Sequence, residues 1–237
     1  MTSLTILSAG AAQTVLGQLA EKFSREQGVS LNASYGAVGA IKARVLAGEA
    51  ADAVILTDEL IDGLIADGML LSGSRVDLGQ VGTAVAVRAD GPCPDVSTVA
   101  AFTATLLAAA RIICPDPSVA TAGKVFLQAL GEIGILEAVR TKLEYTASGS
   151  IAMHSLMAGS APLELAIVQA TEAIACPGAV MAGPLPVPLQ RMVTYSIGLA
   201  AGSREEQAVR SMIASLGDSD ARGMLAAAGF QLGGMRA

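Results

Sequence analysis

Residues 4–12 read Leu-Thr-Ile-Leu-Ser-Ala-Gly-Ala-Ala, and an amphipathic helical pattern over Val15–Phe23 follows them. Residues 31–40 repeat the arrangement as Leu-Asn-Ala-Ser-Tyr-Gly-Ala-Val-Gly-Ala, before a helical pattern over Ile41–Ala47. Each copy is an apolar strand that enters a loop of small residues, and the loop opens a helix. In open α/β sheets, ligands bind beyond the carboxyl ends of the strands, where helix N-termini present unpaired N–H groups. The two loops therefore predict an anion site built from main-chain amides.

The rest of the first third of the chain continues this alternation of strands and helices. The pattern predicts strands over Leu4–Ser8, Ser30–Tyr35 and Ala53–Leu56, and helices over Thr14–Gln27, Ala37–Ala47 and Asp58–Asp67. This order predicts a parallel sheet with right-handed crossovers. A second series of helices and strands begins near Thr98, and the proline-rich segment 177–188 is interpreted as a connector.

Two long predicted strands, Val81–Arg88 and Met192–Ala201, bracket the second series. They indicate a discontinuous layout, in which residues 1–82 and 196–237 form one lobe and residues 83–195 form the other. The two strands are expected to act as a hinge, and the cleft between the lobes is expected to hold the ligand.

Composition limits the classes of function. The chain has 237 residues, 52% hydrophobic and 15% charged, so it can bury a substantial core. Its formal net charge is −6 and its Lys and Arg residues are scattered, which argues against a nucleic-acid partner. The sequence has no Walker loop, no GxGxxG and no metal-ligand spacing among its three cysteines, so we expect no cofactor and no metal.

The start of the chain bears on localisation. Met-Thr-Ser-Leu leads directly into a predicted strand, with no basic segment and no apolar leader. We therefore expect a cytoplasmic protein, or a periplasmic one if a leader has been removed. No uninterrupted apolar run reaches the roughly 18 residues of a membrane span. We also expect a monomer.

Five segments carry a likeness to a known family: Leu4–Ala11, Tyr35–Gly48, Ala51–Ile55, Asp116–Gly123 and Leu165–Val168. The most specific of the local matches is Ala47-Gly48-Glu49-Ala50-Ala51-Asp52, which follows a helix. With these segments the chain resembles type II periplasmic binding proteins, and more narrowly the molybdate-binding proteins of ABC transporters. The resemblance implies an α/β, two-lobed type II fold with a two-strand hinge and an interlobe cleft. It also implies an oxyanion held by main-chain and hydroxyl donors, and an ABC transporter membrane complex as partner.

The chain departs from the family at its hydroxyl donors. The family places a Ser where this chain has Ala11, has a Ser-rich loop where this chain has Ala37-Val38-Gly39, and has a Tyr where this chain has Gln169. Ala122 keeps a position where the family uses a backbone amide. Each missing donor costs about 1–3 kcal/mol when an oxyanion oxygen stays unpaired. We therefore expect weak binding of molybdate.

Four segments in the middle of the chain carry a second likeness: Gly73–Leu78, Ala84–Ala89, Pro94–Val96 and Leu106–Ala109. They are similar to a branch of the same fold that includes aconitate isomerase, which moves a double bond in a small tricarboxylate. This likeness implies an organic carboxylate as ligand. It also keeps open a cytoplasmic isomerase of an unsaturated polycarboxylate, and a third alternative is a cytoplasmic anion sensor or storage protein.

The predicted ligand-binding residues follow strands or begin helices. They are Gly10, Ala11, Ala12, Tyr35, Val38, Gly39, Thr121, Ala122, Gly123, Ser148, Ser150 and Gln169. In an isomerase, His154 (the single histidine) and Lys124 are the predicted catalytic residues. Other roles stay open: packing for Tyr35, helix capping for Ser148 and Ser150, and a solvated helix surface for His154 and Lys124.

Overall fold

The structure is a computed structural model that describes residues 2–233. The chain folds as two compact units, each built on a five-stranded mixed sheet. Unit 1 contains the residues up to Val81 and those from Val193 onward, and unit 2 is Gly82–Met192. No helix in the described residues is both long enough and apolar enough to cross a membrane.

The strands and helices alternate along most of the chain. The strands are β1 Thr2–Ala9, β2 Val29–Gly36, β3 Ala53–Thr57, β4 Val76–Val81, β5 Thr83–Arg88, β6 Arg111–Pro115, β7 Leu143–Thr146, β8 Glu164–Gln169, β9 Ala179–Pro184 and β10 Val193–Leu199. The helices are α1 Gln13–Gln27, α2 Val38–Leu46, α3 Asp58–Ala66, α4 Val99–Ala108, α5 Thr121–Glu132, α6 Leu136–Val139, α7 Gly149–Met157, α8 Ala170–Ile174, α9 Glu206–Ser215 and α10 Ser219–Ala227. Short 3-10 turns are formed by Gly10–Ala12 and Arg140–Lys142.

The sheet of unit 1 has the order β2-β1-β3-β10-β4. Strand β1 pairs in parallel with β2 and β3, as the βαβαβα pattern predicts, whereas β10 pairs antiparallel with β3 and β4. All five residues of β3 are buried, which explains its continuous apolar sequence. The carboxyl ends of β1, β2 and β3 lie at one edge of this sheet, which we call the carboxyl edge of unit 1.

The sheet of unit 2 has the order β7-β6-β8-β5-β9. Strand β6 pairs in parallel with β7 and β8, and β5 pairs antiparallel with β8 and β9. The carboxyl ends of β6, β7 and β8 therefore share one edge, the carboxyl edge of unit 2. The first residue of β5, Thr83, lies at the same edge because it pairs with Gln169, the last residue of β8.

The prediction of one strand over Val81–Arg88 is wrong at its beginning. Val81 ends β4 in unit 1, and β5 begins at Thr83 in unit 2. Between them, Gly82 packs against Gln190, and a Cβ at Gly82 would lie 2.8 Å from Nε2 of that side chain. The Gln190 side chain accepts from the N–H of Thr83 at 3.1 Å and donates to its C=O at 2.8 Å, as a neighbouring strand would.

Two edge strands of unit 2 were not predicted. The supposed connector over 177–188 contains β9, Ala179–Pro184, which pairs with β5. Its proline is tolerated because β9 has a neighbour on one side only and Pro184 is its last residue. The other edge strand, β7, is four residues long and pairs only with β6.

A buried ion network joins β5, β6 and β8 at the opposite edge of the unit 2 sheet. Glu164 has a side chain that is 6% exposed, and it pairs with Arg88 at 2.5 Å and with Arg111 at 3.2 Å. Arg88 also donates to the carbonyl oxygen of Ala161 at 2.8 Å. Removal of one partner from such a network leaves a charge that is poorly compensated in a low-dielectric setting.

We predict that Arg88→Ala lowers the free energy of unfolding by about 3 kcal/mol, because Glu164 loses its closest cation. Urea denaturation followed by circular dichroism measures the change. The matched control is Arg210→Ala, since Arg210 pairs with Glu206 at 2.8 Å on an exposed helix face. That control should cost about 0.5 kcal/mol or less. Equal losses in the two variants would contradict the assignment of a stabilising role to the buried network.

Candidate functional site

Three helices begin at the carboxyl edge of unit 2. Helix α5 follows β6, α7 follows β7, and α8 follows β8 directly. The first-turn N–H groups of a helix have no acceptor within that helix. Helix α5 begins without a side-chain cap, and the first intrahelical hydrogen bond is from Lys124 N–H to Ala120 C=O. The N–H groups of Thr121, Ala122 and Gly123 are therefore the available donors of α5.

Gly123 lets the first turn of α5 approach the end of β6 closely. A Cβ at this residue would lie 1.9 Å from the carbonyl oxygen of Pro115 and 2.9 Å from the nitrogen of Pro117. Because both contacts are with backbone atoms, no side-chain movement could relieve them. The absence of a side chain at Gly123 thus determines where the α5 donors lie.

Helix α7 is capped by its own sequence. Ser148 is the N-cap, and its hydroxyl oxygen accepts from the N–H of Ile151 at 3.3 Å. The hydroxyl of Thr146 donates to the carbonyl oxygen of Ser148 at 2.9 Å and fixes the entry to the helix. The carbonyl oxygen of Ser150 contacts Nδ1 of His154 at 2.8 Å. The capping role left open for Ser148 is therefore observed.

Helix α8 begins with a capping box. The side chain of Gln169 accepts from the backbone N–H of Glu172, and the Glu172 carboxylate accepts from the backbone N–H of Gln169 at 3.2 Å. Gln169 is only 4% exposed, so its amide group lies inside the unit rather than on its surface. Gln169 was predicted from the sequence as a ligand-binding residue, whereas Glu172 was not, although a Glu three residues after an N-cap is one half of the capping-box signal.

The Glu172 carboxylate also lies against the first residue of α7. A Cβ at Gly149 would be 1.9 Å from Oε2 of Glu172, so the carboxylate occupies the space of a missing side chain. Burial raises the pKa of Glu172 to about 7, and the hydrogen bond from Gln169 opposes this shift. Among the residues that the structure describes, no charge shifts the pKa of this carboxyl group. A glutamate that titrates near neutrality therefore lies where two helices begin.

Two buried hydroxyl groups accompany Glu172 at this edge. Thr83 is 1% exposed and Thr171 is 3% exposed, and their hydroxyl oxygens have no hydrogen-bond partner among residues 2–233. Thr83 pairs in register with Gln169, and Thr171 directly precedes Glu172. Buried polar groups without a partner are uncommon and call for an explanation, such as a bound ligand or water.

The carboxyl edge of unit 1 carries the other predicted residues. Gly10–Ala12 form the 3-10 turn after β1, and Ala11 and Ala12 are buried. Helix α2 begins at Val38 after Ala37, without a side-chain cap, so the Val38 and Gly39 N–H groups are available donors. Tyr35, next to the end of β2, is partly buried, and burial raises its pKa.

The two predicted catalytic residues lie on helix surfaces. Lys124 is exposed in the first turn of α5, and His154 is exposed on α7. The contact of His154 with Ser150 is within its own helix. Across residues 2–233, no group of three or more His, Cys, Asp or Glu side chains is arranged to hold a metal ion.

Comparison with known proteins matches this architecture. The family model described as bacterial extracellular solute-binding protein matches residues 4–231. A curated relative, the aconitate isomerase of a Pseudomonas species, is 29% identical over 229 residues, covering 93% of this chain and 84% of that protein.

Solved structures show the fold. The periplasmic molybdate-binding protein of Azotobacter vinelandii superimposes with a TM-score of 0.83 at 20% identity, covering 97% of this chain and 99% of that one. The sulfate-binding protein of Mycobacterium tuberculosis gives 0.78 at 19% identity, covering 97% and 86%. These likenesses confirm the predicted two-lobed α/β fold of type II periplasmic binding proteins and the predicted resemblance to molybdate-binding proteins.

We predict that Gly123→Ala lowers the free energy of unfolding by more than about 2 kcal/mol, because its Cβ would overlap the Pro115 carbonyl oxygen. Thermal and urea unfolding measure the loss. Gly131→Ala is the control in the same helix, since a Cβ there meets nothing within 4 Å. This control should raise stability by about 0.5–1 kcal/mol. A neutral Gly123→Ala would show that α5 is not held against β6 in this way.

Proposed function

The chain belongs to the bacterial extracellular solute-binding protein family, and we propose that it captures a small anion, an organic carboxylate in preference to molybdate. The observation that carries the proposal is the set of helix N-termini without side-chain caps at the carboxyl edges of the sheets. Helix α2 in unit 1 and helix α5 in unit 2 both begin in this way. Helix N-termini favour anions through their free N–H groups and their positive dipole ends.

The side chains near these donors support a carboxylate over molybdate. The residues at the two unit 1 loops are Gly10–Ala12 and Val38–Gly39, which supply no hydroxyl group. The proposed ligand-binding residues also include Tyr35 in unit 1, and Ser148, Ser150 and Gln169 in unit 2. Their polar atoms would orient the bound anion. A curated relative named for aconitate also favours a carboxylate ligand. An ABC transporter is the proposed partner of a protein with this binding role.

We predict that proline at the first helical residue weakens anion binding, because it removes one N–H donor without disturbing the helix. Val38→Pro in α2 and Thr121→Pro in α5 suit this test. The preceding residues, Ala37 and Ala120, already have the extended backbone that precedes proline. Each variant should raise the dissociation constant by about 10- to 150-fold, since a hydrogen bond to a charged group contributes about 1.5–3 kcal/mol.

The measurement is a thermal-shift screen of citrate, both aconitate isomers, sulfate, phosphate, molybdate and tungstate, followed by calorimetry. A ligand at 100 times its dissociation constant adds about 2.7 kcal/mol of stability. Val99→Pro is the matched control, because it replaces the first residue of α4, which also follows an extended residue and which the proposal does not use. Stabilisation by molybdate or tungstate alone would contradict the carboxylate preference. An equal effect of all three prolines would contradict the assigned donors.

A second candidate function is an isomerase of an unsaturated polycarboxylate. The curated aconitate isomerase, at 29% identity over nearly the whole chain, is the observation that favours it. Moving a double bond by a proton shift requires a group that removes a proton from carbon and one that returns it. His154 and Lys124 stay the sequence-based proposals for this role, although both are exposed in the free protein.

The isomerase candidate predicts that proton NMR of cis-aconitate with the protein shows the trans isomer within hours. If His154 or Lys124 moves the proton, His154→Ala or Lys124→Ala should slow conversion by about 10²–10⁴-fold. Arg210→Ala, on an exposed face of α9, serves as the control for both. Binding of aconitate without conversion would leave the solute-binding role and exclude the isomerase. Unchanged turnover in both variants would remove these two residues from the mechanism.

A further inference from the structure

Glu172 is a negatively chargeable group at an edge otherwise suited to anions. Its carboxylate lies against Cα of Gly149 at the beginning of α7, and it accepts from the N–H of Gln169 at 3.2 Å. The residue as a whole is partly exposed, whereas its carboxyl group is buried against Gly149 and the N–H of Gln169. A bound anion at the same edge would face this carboxylate, and two like charges repel strongly where water is limited.

The charged groups on neighbouring elements do not neutralise Glu172. Helix α8 packs on β5, β8, β9 and α7. Strand β9 has no titratable side chain, while Arg88 of β5 and Glu164 of β8 pair with each other at the opposite edge. On α7 the titratable residue is His154, which is exposed and contacts Ser150. The Cys176 thiol, after α8, contacts the carbonyl oxygen of Pro177.

The nearby hydroxyl groups point to a ligand with several oxygen atoms. Thr83 and Thr171 are more than nine-tenths buried, and their hydroxyl oxygens have no partner in the described part of the chain. Both flank the Gln169–Glu172 capping box, Thr83 across the strand pair and Thr171 along the chain. Hydroxyl groups can donate to carboxylate oxygens, and a protonated Glu172 would donate as well.

We propose that Glu172 contacts the bound carboxylate ligand and takes up one proton from solvent when that ligand binds. This inference rests on the proposed function, and it makes Glu172 a residue that selects the ligand. The proton forms the O–H bond of the Glu172 carboxyl group, which then donates to a ligand oxygen. No bond of the ligand breaks. Because the pKa of Glu172 in the free protein is about 7, its protonation near neutral pH requires little free energy.

Linkage sets the direction of the pH dependence. A bound anion favours the protonated form of Glu172, so its pKa in the complex is higher than in the free protein. Affinity should be constant at pH values below the free-protein pKa. Above it, affinity should fall about tenfold per pH unit until the pKa of the complex is reached, because each complex must first acquire a proton.

The experiment is isothermal calorimetry with trans-aconitate and with sulfate, both fully ionised between pH 7 and pH 9. Titrations in two buffers of different ionisation enthalpy count the protons that each complex takes up. Wild-type protein should take up protons on binding above pH 7, up to a limit of one per ligand, whereas Glu172→Gln should take up none and bind with nearly constant affinity from pH 7 to pH 9. Glu137→Gln is the matched control, since Glu137 is exposed and pairs with Arg140 at 3.4 Å.

The outcomes separate this inference from the proposed function. Binding without proton uptake, or uptake that persists in Glu172→Gln, overturns the role of Glu172 and leaves anion capture intact. Absence of binding to either anion, in wild type and variant alike, overturns both. The wild-type pH profile does not depend on the variant, so a poorly folded Glu172→Gln protein would still leave the inference open to refutation.

Discussion

Parallel pairing of β6 with β7 and β8 is the constraint on which the candidate site of unit 2 depends. Parallel strands end at the same edge, and each of these strands is followed by a helix, so the helix N-termini gather there. The approach of α5 to β6 then depends on Gly123, whose missing side chain leaves room for the Pro115 carbonyl oxygen. Gly149 does the same for the Glu172 carboxylate at α7. Two glycines thus determine how closely the donors of unit 2 can assemble.

The same edge of unit 2 contains both helix N-termini, which attract anions, and a carboxyl group, which repels them when it is ionised. Helix N-termini attract anions, yet Glu172 presents a carboxylate there, partly stabilised by the N–H of Gln169. No cation among residues 2–233 shifts its pKa, which burial raises to about 7. In the free protein the carboxylate accepts from the N–H of Gln169. In the proposed complex a proton neutralises Glu172. The anionic ligand can then bind at this edge without a second buried negative charge beside it.

Local sequence patterns were sufficient for much of unit 1 and for the family. The strands β1, β2 and β3 and the helices between them follow directly from apolar runs and small-residue loops. The patterns failed where pairing partners decide the structure. Gly82 separates β4 from β5. The Gln190 side chain, which is distant in sequence, forms the hydrogen bonds to the backbone of Thr83 that a neighbouring strand would otherwise form. Strand β9 was missed because its prolines suggested a connector, and an edge position permits them.

The sequence by itself determined the alternation of strands and helices, the small-residue loops at Gly10–Ala12 and Gly36–Gly39, and the loss of the hydroxyl groups that the family uses there. These are local properties, since hydrophobic periodicity and backbone freedom act over a few residues. Only the tertiary structure brought Glu172 against Gly149 and left the Thr83 hydroxyl buried without a partner among the described residues. Such contacts depend on strand order and on burial. Burial changes the pKa of a carboxyl group, and the residues next to it in the sequence do not reveal that change.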